Sequence, residues 1–144
     1  SLRNGPKDSS FDSSLLQISN LRFPDEILVK ETISKIHTNL KLREEPFLSS
    51  FLYRYSRQDD FGQPKSAFLI CSFWLIQALA RTNQLEKAKQ VMNDVMKSAN
   101  ELGLFSEHFI PSEFRQSGNF PQAYSHVGQI NAAFAISPQW SEVL

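Results

Sequence analysis

The chain has 144 residues, of which 41% are hydrophobic and 21% charged, a balance typical of one soluble globular domain. Its 15 Lys and Arg residues equal its 15 Asp and Glu residues, so no net charge is available to hold nucleic acid or an anionic membrane. The single cysteine, Cys71, excludes an internal disulfide. That fits a reducing compartment and equally a secreted protein without disulfides, so the compartment stays open.

The first predicted helix follows Pro24, which with Asp25 and Glu26 forms a typical helix start. Hydrophobic residues then recur at roughly helical spacing with charges between them, which predicts one apolar face: Ile27, Leu28, Ile33, Ile36 and Leu40. The next stretch, 43–65, contains two prolines and a glycine and predicts loop and turn.

The segment Ser66 to Ala80, SAFLICSFWLIQALA, is apolar around nearly its whole circumference. It is too short to span a bilayer, which requires about 20 apolar residues. A helix that is hydrophobic on all sides must be buried on all sides. We therefore predict an inner helix here.

After a turn at 81–83, the segment Leu85 to Leu102 predicts an amphipathic helix, with Gly103 as the residue that ends it. Its polar residues fall on one side. Its apolar residues form a stripe on the other: Leu85, Ala88, Val91, Met92, Val95, Met96, Ala99 and Leu102.

The stretch Leu102 to Gln122, LGLFSEHFIPSEFRQSGNFPQ, shows no regular period and is too long for a simple connector. Loops of this length inside compact domains are uncommon and usually functional. The next segment, Pro121 to Ile136, is mostly apolar or small and predicts a second buried helix. The helices thus alternate outer, inner, outer, inner, as a double ring of helices requires.

A helical-repeat scaffold of the tetratricopeptide kind is the alternative, because ALARTNQLEKAKQ also fits a helical hairpin. Such repeats recur about every 34 residues with similar loops. The loops before Ser66 and before Pro121 are long and unlike each other, which argues against a repeat.

Four stretches of this chain resemble one enzyme family: FDSSLLQI, SAFLICSFWLIQALARTNQLEKA, LGLFSEHFIP and GNFPQAYSHVGQINAA. In register from Phe11 to about Ala133, they resemble the C-terminal part of glycoside hydrolase family 15, the glucoamylase, glucodextranase and bacterial trehalase family. The combination of CSFW, SE after GL, and NFPQAYSH carries the resemblance, whereas no single motif would.

The resemblance implies an all-α fold, the C-terminal portion of an (α/α)6 barrel with a pocket at one end of its inner helices. It also implies an inverting, exo-acting hydrolase of α-glucosidic bonds. In that chemistry one carboxylic acid protonates the leaving oxygen, and a carboxylate about 6.5 to 9.5 Å away activates a water molecule. The family's base is a glutamate in an SE context before the last inner helix, and Glu107 matches that position.

Three more residues match positions that contact sugar in the family. Arg54 and Tyr55 match an arginine-tyrosine pair whose guanidinium hydrogen-bonds sugar hydroxyls, and Tyr124 matches an aromatic residue of the pocket wall. Two of them have a simpler alternative. Arg54 would form an ion pair with Asp59 or Asp60, and Tyr124 would belong to the core.

Other polar and aromatic residues are explained without catalysis. Trp74 is expected in the core first and as a sugar-stacking residue second. His126 is expected to be a hydrogen-bonded core histidine, and Asp12, which matches an acidic residue of the family, to be an N-cap. His108 is predicted to be a loop histidine and Glu113 a surface carboxylate.

No metal and no cofactor is predicted. The three histidines show no ligand spacing, Cys71 falls within the buried helix, and the five glycines are scattered singly rather than forming a phosphate-binding loop.

The family's general acid lies upstream of the matching region, and the predicted helices make less than half of a twelve-helix ring. We therefore expect residues 1–144 to be one domain fragment, inactive alone, with Ser66 to Ala80 partly uncovered. Its expected partners are an oligosaccharide or disaccharide of glucose and the missing N-terminal part of the same polypeptide. Glucoamylase-like and trehalase action both stay open. A noncatalytic sugar-binding or regulatory barrel is the runner-up, and a helical-repeat scaffold comes third.

Overall fold

The computed structural model describes residues 1–60 and 62–143, without the side chains of Trp140 and Val143. These residues are mainly helical and include a small sheet, which was not predicted. The 3-10 helices are Ser13–Ser19, Leu48–Ser50 and Pro111–Glu113. The other elements, in chain order, are α1 (Glu26–Leu40), β1 (Ala67–Phe68), α2 (Leu69–Arg81), α3 (Leu85–Met96), β2 (His108–Ile110), β3 (Arg115–Ser117), α4 (Ala123–Ile136) and α5 (Trp140–Val143).

Helix α2 forms the middle of the core. Every residue from Leu69 to Leu79 is buried, as its all-round apolar pattern predicts. It packs against α3, α4 and the 3-10 helix Ser13–Ser19. The expectation that this helix is partly uncovered is therefore wrong, because these three neighbours together enclose it.

Helix α1 begins where its sequence predicts. The carboxylate of Asp25 accepts a hydrogen bond from the backbone N–H of Leu28 at 2.9 Å and caps the first turn. The helix packs against the 3-10 helix Ser13–Ser19. The residues it buries are Val29, Thr32, Ile33, Ile36 and Leu40. Ile33, Ile36 and Leu40 belong to the predicted apolar face, whereas the predicted place of Ile27 on that face is wrong, because Ile27 is 74% exposed.

Helix α3 ends at Met96, six residues before its predicted end at Leu102. The reason is Asn100, whose side-chain oxygen accepts hydrogen bonds from the backbone N–H groups of Leu102 and Leu104. This local bonding competes with helical hydrogen bonds and forms a turn instead. Gly103, with a φ of 75°, lies inside that turn and does not cap α3, so its predicted role is wrong.

The prediction that the stretch 102–122 is irregular throughout is wrong, because the stretch contains a β-hairpin. Strands β2 and β3 pair antiparallel, and β1 pairs with the other edge of β2. Phe114, in the left-handed region at a φ of 46°, closes the turn between β2 and β3. Strands of two or three residues are too short to give a period-2 pattern in the sequence.

The prediction that α4 is a buried helix is wrong. Among the described residues, its neighbours are mainly α2 and also α3, and both pack against one side of α4. The residues it buries there are Ser125, Gly128 and Ala132. On the other side the large apolar side chains are about half exposed or more: Tyr124, Val127, Ile130 and Phe134. The (α/α)6 barrel stays a prediction.

Candidate active site

Glu107 lies at the junction of the hairpin with α2, immediately before β2. Its backbone N–H donates to the carbonyl of Asn119 at 2.9 Å. Its carbonyl accepts from the N–H of Leu69 at 3.1 Å. Leu69 is the first residue of α2, where backbone N–H groups have no partner within the helix. The backbone of Glu107 is thus fixed on both sides.

The side chain of Glu107 is half-buried, and one of its oxygens is anchored. Oε2 accepts hydrogen bonds from the backbone N–H and the side-chain Nδ2 of Asn119, at 3.3 and 3.0 Å. Gly118 lies against the same carboxylate, with a φ of 80° that favours glycine. A Cβ on Gly118 would lie 2.9 Å from Oε2 and 3.0 Å from the Glu107 Cβ.

The start of α4 holds the two residues before Glu107. The N–H of Gln122 donates to the carbonyl of Phe105 at 2.8 Å, and the Ser125 hydroxyl donates to the carbonyl of Ser106 at 2.8 Å. The N–H of Phe105 donates to Nε2 of His126 at 3.2 Å. His126 is therefore a hydrogen-bonded histidine, as predicted, and Nε2 acts as the acceptor, which places the ring proton on Nδ1.

Arg54 forms an ion pair with Asp12. The alternative given above, an ion pair of Arg54 with Asp59 or Asp60, named the wrong partner. The guanidinium Nε donates to Oδ1 of Asp12 at 2.6 Å. Asp12 also caps the 3-10 helix Ser13–Ser19, since Oδ1 accepts from the N–H of Ser14 at 2.8 Å. Its predicted N-cap role is confirmed. Burial raises the pKa of the Asp12 carboxyl, but the hydrogen bonds from Ser14 and Arg54 outweigh burial and hold it below its ordinary value.

Arg54 and Tyr55 line a cavity of about 420 Å³, which His108 and Phe68 also line. The Tyr55 hydroxyl donates to the carboxylate of Asp59, and this hydrogen bond raises the pKa of the tyrosine. Its lining combines charged and polar groups, such as Arg54 and Ser66, with the rings of Tyr55, Phe68 and His108, a mixture typical of small-molecule sites.

His108 belongs to this cavity, so its prediction as a plain loop histidine is wrong. It lies in β2, with its ring stacked on Phe68 at 4.9 Å between centroids and its Nδ1 3.1 Å from the Ser66 hydroxyl. The signal available in the sequence was its position next to Glu107. Both side chains lie beside Gly118, since a Cβ there would be 2.9 Å from Oε2 of Glu107 and 3.3 Å from Cδ2 of His108.

Tyr124 is 48% exposed, so its alternative placement in the core is wrong. Its ring meets the indole of Trp74 edge to face, with centroids 6.1 Å apart. Trp74 is buried as predicted, and the guanidinium carbon of Arg54 lies 5.8 Å from its ring centroid. Both aromatic residues line a groove of about 660 Å³ between α2 and α4. Trp74 therefore connects Arg54 to Tyr124.

Glu113 is exposed and its carboxylate accepts from Nε of Arg115 at 2.8 Å, which confirms it as a surface carboxylate. Within residues 1–60 and 62–143, no cluster of three or more His, Cys, Asp or Glu residues is arranged to hold a metal ion. None of the helices in that part of the chain has both the length and the apolar character to cross a membrane.

Comparison with known proteins gives the same family as the sequence motifs. The model of Glycosyl hydrolases family 15 matches residues 80–134, which contain Glu107, the hairpin and Tyr124. A trehalase of Mycobacterium tuberculosis is 35% identical over 128 residues, which cover 87% of this chain and 18% of that protein. The predicted relationship to glycosyl hydrolases family 15 is confirmed.

Other similar proteins carry the same description. A trehalase of Thermoplasma volcanium is 32% identical over 125 residues, which cover 86% of this chain and 19% of that protein. Trehalase 1 of Sulfolobus acidocaldarius is 33% identical over 131 residues, which cover 87% of this chain and 23% of that protein. The chain thus spans about a fifth of the length of these relatives. No solved structure matches it.

Proposed function

We propose that the chain is the C-terminal part of the catalytic domain of an inverting, exo-acting glycoside hydrolase, with Glu107 as its general base. The observation that supports this is the Glu107 carboxylate itself. Its backbone and Oε2 are fixed, while Oε1 accepts no hydrogen bond from any described residue. A general base requires this combination of fixed geometry and a free oxygen.

The proposed substrate is a disaccharide of glucose, and trehalose in particular, because the similar proteins are described as trehalases. Arg54 would hold the sugar. Its Nε donates to Asp12, which fixes the plane of the guanidinium, and its Nη groups are then oriented to donate to neighbouring hydroxyls. Tyr55 would form a wall beside Arg54 in the 420 Å³ cavity, and Tyr124 would form a wall of the neighbouring groove that Trp74 also lines.

The chemistry would be a single displacement at the anomeric carbon. The water molecule gives a proton to Glu107 while its oxygen bonds to the carbon, and the glycosidic C–O bond breaks on the opposite face. The leaving oxygen takes a proton from a carboxylic acid, which we place in the N-terminal part of the same polypeptide. Residues 1–144 alone would then be inactive.

The same N-terminal part would cover the open face of α4. Tyr124, Val127, Ile130 and Phe134 follow each other at intervals of three and four residues, which places them on one face of the helix. A face of this kind on an inner helix of the barrel would pack against a further inner helix. We therefore assign residues 1–144 to one folding unit with that upstream part.

The test is performed on the intact polypeptide, with the wild type compared with Glu107→Gln. We expect trehalose to give one β-glucose for each α-glucose, followed by NMR before mutarotation, because only the attacked ring is inverted. The substitution should lower kcat about 10²- to 10⁴-fold. Maltooligosaccharides and isomaltooligosaccharides, assayed in parallel, test the choice of substrate.

Glu113→Gln is the matched control, since Glu113 is an exposed carboxylate six residues further along the same loop. It should leave the rate unchanged. An unchanged rate in Glu107→Gln would remove Glu107 from the mechanism. Sugar binding without hydrolysis in the wild type would favour the noncatalytic barrel.

A further inference from the structure

The turn Gly118–Asn119 contacts both the backbone and the carboxylate of Glu107. Asn119 accepts from the backbone N–H of Glu107 and donates to Oε2 through two separate N–H groups. Gly118 approaches the same carboxylate so closely that a Cβ would lie 2.9 Å from Oε2. The turn follows β3, which pairs with the strand after Glu107, so hairpin hydrogen bonds hold it in place.

We infer that Asn119 is a positioning residue that anchors Oε2 of Glu107, so that Oε1 is the oxygen that accepts the proton from water. This inference rests on the proposed function, because it concerns the same carboxylate. Asn119 acts through Glu107 and has no contact with the reacting atoms in this role.

The polarity of the contact supports this assignment. An ionised carboxylate only accepts hydrogen bonds, and Asn119 offers it two donors on adjacent atoms of one residue. The side-chain oxygen of Asn119 would repel Oε2, so the amide has one favourable orientation. Two donors on one oxygen remove the rotational freedom of the carboxylate and leave the lone pairs of Oε1 for water.

Gly118 makes this arrangement sterically possible. Its φ of 80° lies in the left-handed region, which is strained for residues with a Cβ. The Cβ of another residue would also meet both the carboxylate and the Cβ of Glu107. The close approach of the turn therefore depends on glycine at 118 and on an amide at 119.

In the proposed reaction the water molecule transfers a proton to Oε1 of Glu107. At the same time the water oxygen bonds to the anomeric carbon and the glycosidic bond breaks. A displacement of the base by about 1 Å can cost about 10²-fold in rate. Loss of the anchor should therefore lower kcat more than substrate affinity, because the sugar contacts of Arg54 and Tyr55 do not involve Asn119.

The test uses the intact polypeptide with trehalose. Asn119→Ala removes the side-chain donor and keeps the backbone donor, and it should lower kcat about 10- to 100-fold with KM changed less than about threefold. Asn119→Asp places a second carboxylate beside Oε2 and should lower kcat further. Asn39→Ala is the control, since Asn39 is an exposed asparagine whose amide donates only to the carbonyl of Lys35.

The thermal midpoint of each variant separates positioning from stability. We expect Asn119→Ala to unfold at the same temperature as Asn39→Ala. A kcat of Asn119→Ala within about twofold of the wild type, beside an inactive Glu107→Gln, would overturn the inference and leave the proposed function intact. A rate loss that disappears when normalised to folded protein would also overturn it. Full activity of Glu107→Gln would remove the proposed base and the inference together.

Discussion

Asp12 and Arg54 lie 42 residues apart in sequence, and their ion pair brings two separate segments of the site together. The same contact is reinforced by Ser13, whose N–H donates to the carbonyl of Arg54 and whose hydroxyl donates to the carbonyl of Tyr53. Family motifs identified both charged residues from the sequence. Their pairing could not be predicted, because a charged residue in a loop has several nearby partners and tertiary structure selects among them.

His37 forms a polar contact between α1 and the 3-10 helix Leu48–Ser50, and we expect this histidine to make the free energy of unfolding depend on pH. Its Nε2 donates to the carbonyl of Ser49 at 2.8 Å. Burial lowers the pKa of His37 below its ordinary value, helped by the positive charges of Lys87 and Lys41, while the Ser49 carbonyl and Glu44 oppose the shift. The unfolded state therefore binds the proton more readily than the folded state.

The contribution of His37 to stability should be fully present above its unfolded pKa of about 6.5 and should be lost as pH falls through its lower folded pKa. Urea unfolding of the intact protein at about pH 7.5 and about pH 5 measures this loss. His37→Gln keeps a donor for the Ser49 carbonyl and cannot titrate, so its stability should fall less between the two pH values. An equal fall in both proteins would show that other groups are responsible.

Helices α2 and α4 approach closely because Gly128 has no side chain. A Cβ at this position would lie 2.4 Å from the Cδ1 of Ile70 and 3.0 Å from the Cβ of Phe73. The Ile70 methyl group can rotate away, but the Phe73 Cβ is attached directly to the α2 backbone. The contact therefore sets the distance between the two helices.

Gly128→Ala should destabilise the protein, although alanine in a helix interior normally stabilises by about 0.5–1 kcal/mol. Overpacking costs about 1–3 kcal/mol, so we expect a net loss on the order of 1 kcal/mol in the free energy of unfolding. Denaturant titration measures it. Gly5→Ala is the control, because the nearest atom to its Cβ would be the Asp8 Cβ at an ordinary 3.9 Å. A stabilised Gly128→Ala variant would show that the helices separate at no cost.

The four longer helices follow from the sequence, whereas the hairpin does not. Each of the helices α1 to α4 has 12 to 15 residues, which is long enough for a periodic or an all-round apolar pattern to be recognised in the sequence. Strands β2 and β3 have three residues each, and their stability comes from pairing with each other and with β1. Glu107 could be proposed from its motif, but its contact with Asn119 could not be predicted, because that contact depends on the return of the hairpin to the same point.

In the part of the chain that the structure describes, α4 carries a group of exposed large apolar side chains. Other apolar side chains are exposed elsewhere, among them Leu21, Ile27 and Leu102, which is ordinary for a folded protein. The open face of α4 instead groups four large apolar side chains: Tyr124, Val127, Ile130 and Phe134. Continuous apolar patches of this kind mark surfaces that pack against another part of a protein.

If this face packs against the upstream part of the polypeptide, residues 1–144 produced alone should bind a hydrophobic dye and self-associate. Ile130→Lys together with Phe134→Lys should reduce both effects in the isolated residues, since it places charge within the patch. In the intact protein the same pair should destabilise folding, because two charges would then be buried without partners. Leu102→Lys, at an 80% exposed site outside the patch, should change neither protein. Fluorescence of the dye and sedimentation velocity measure the isolated residues, and a dye-free monomer would contradict the assignment of this face.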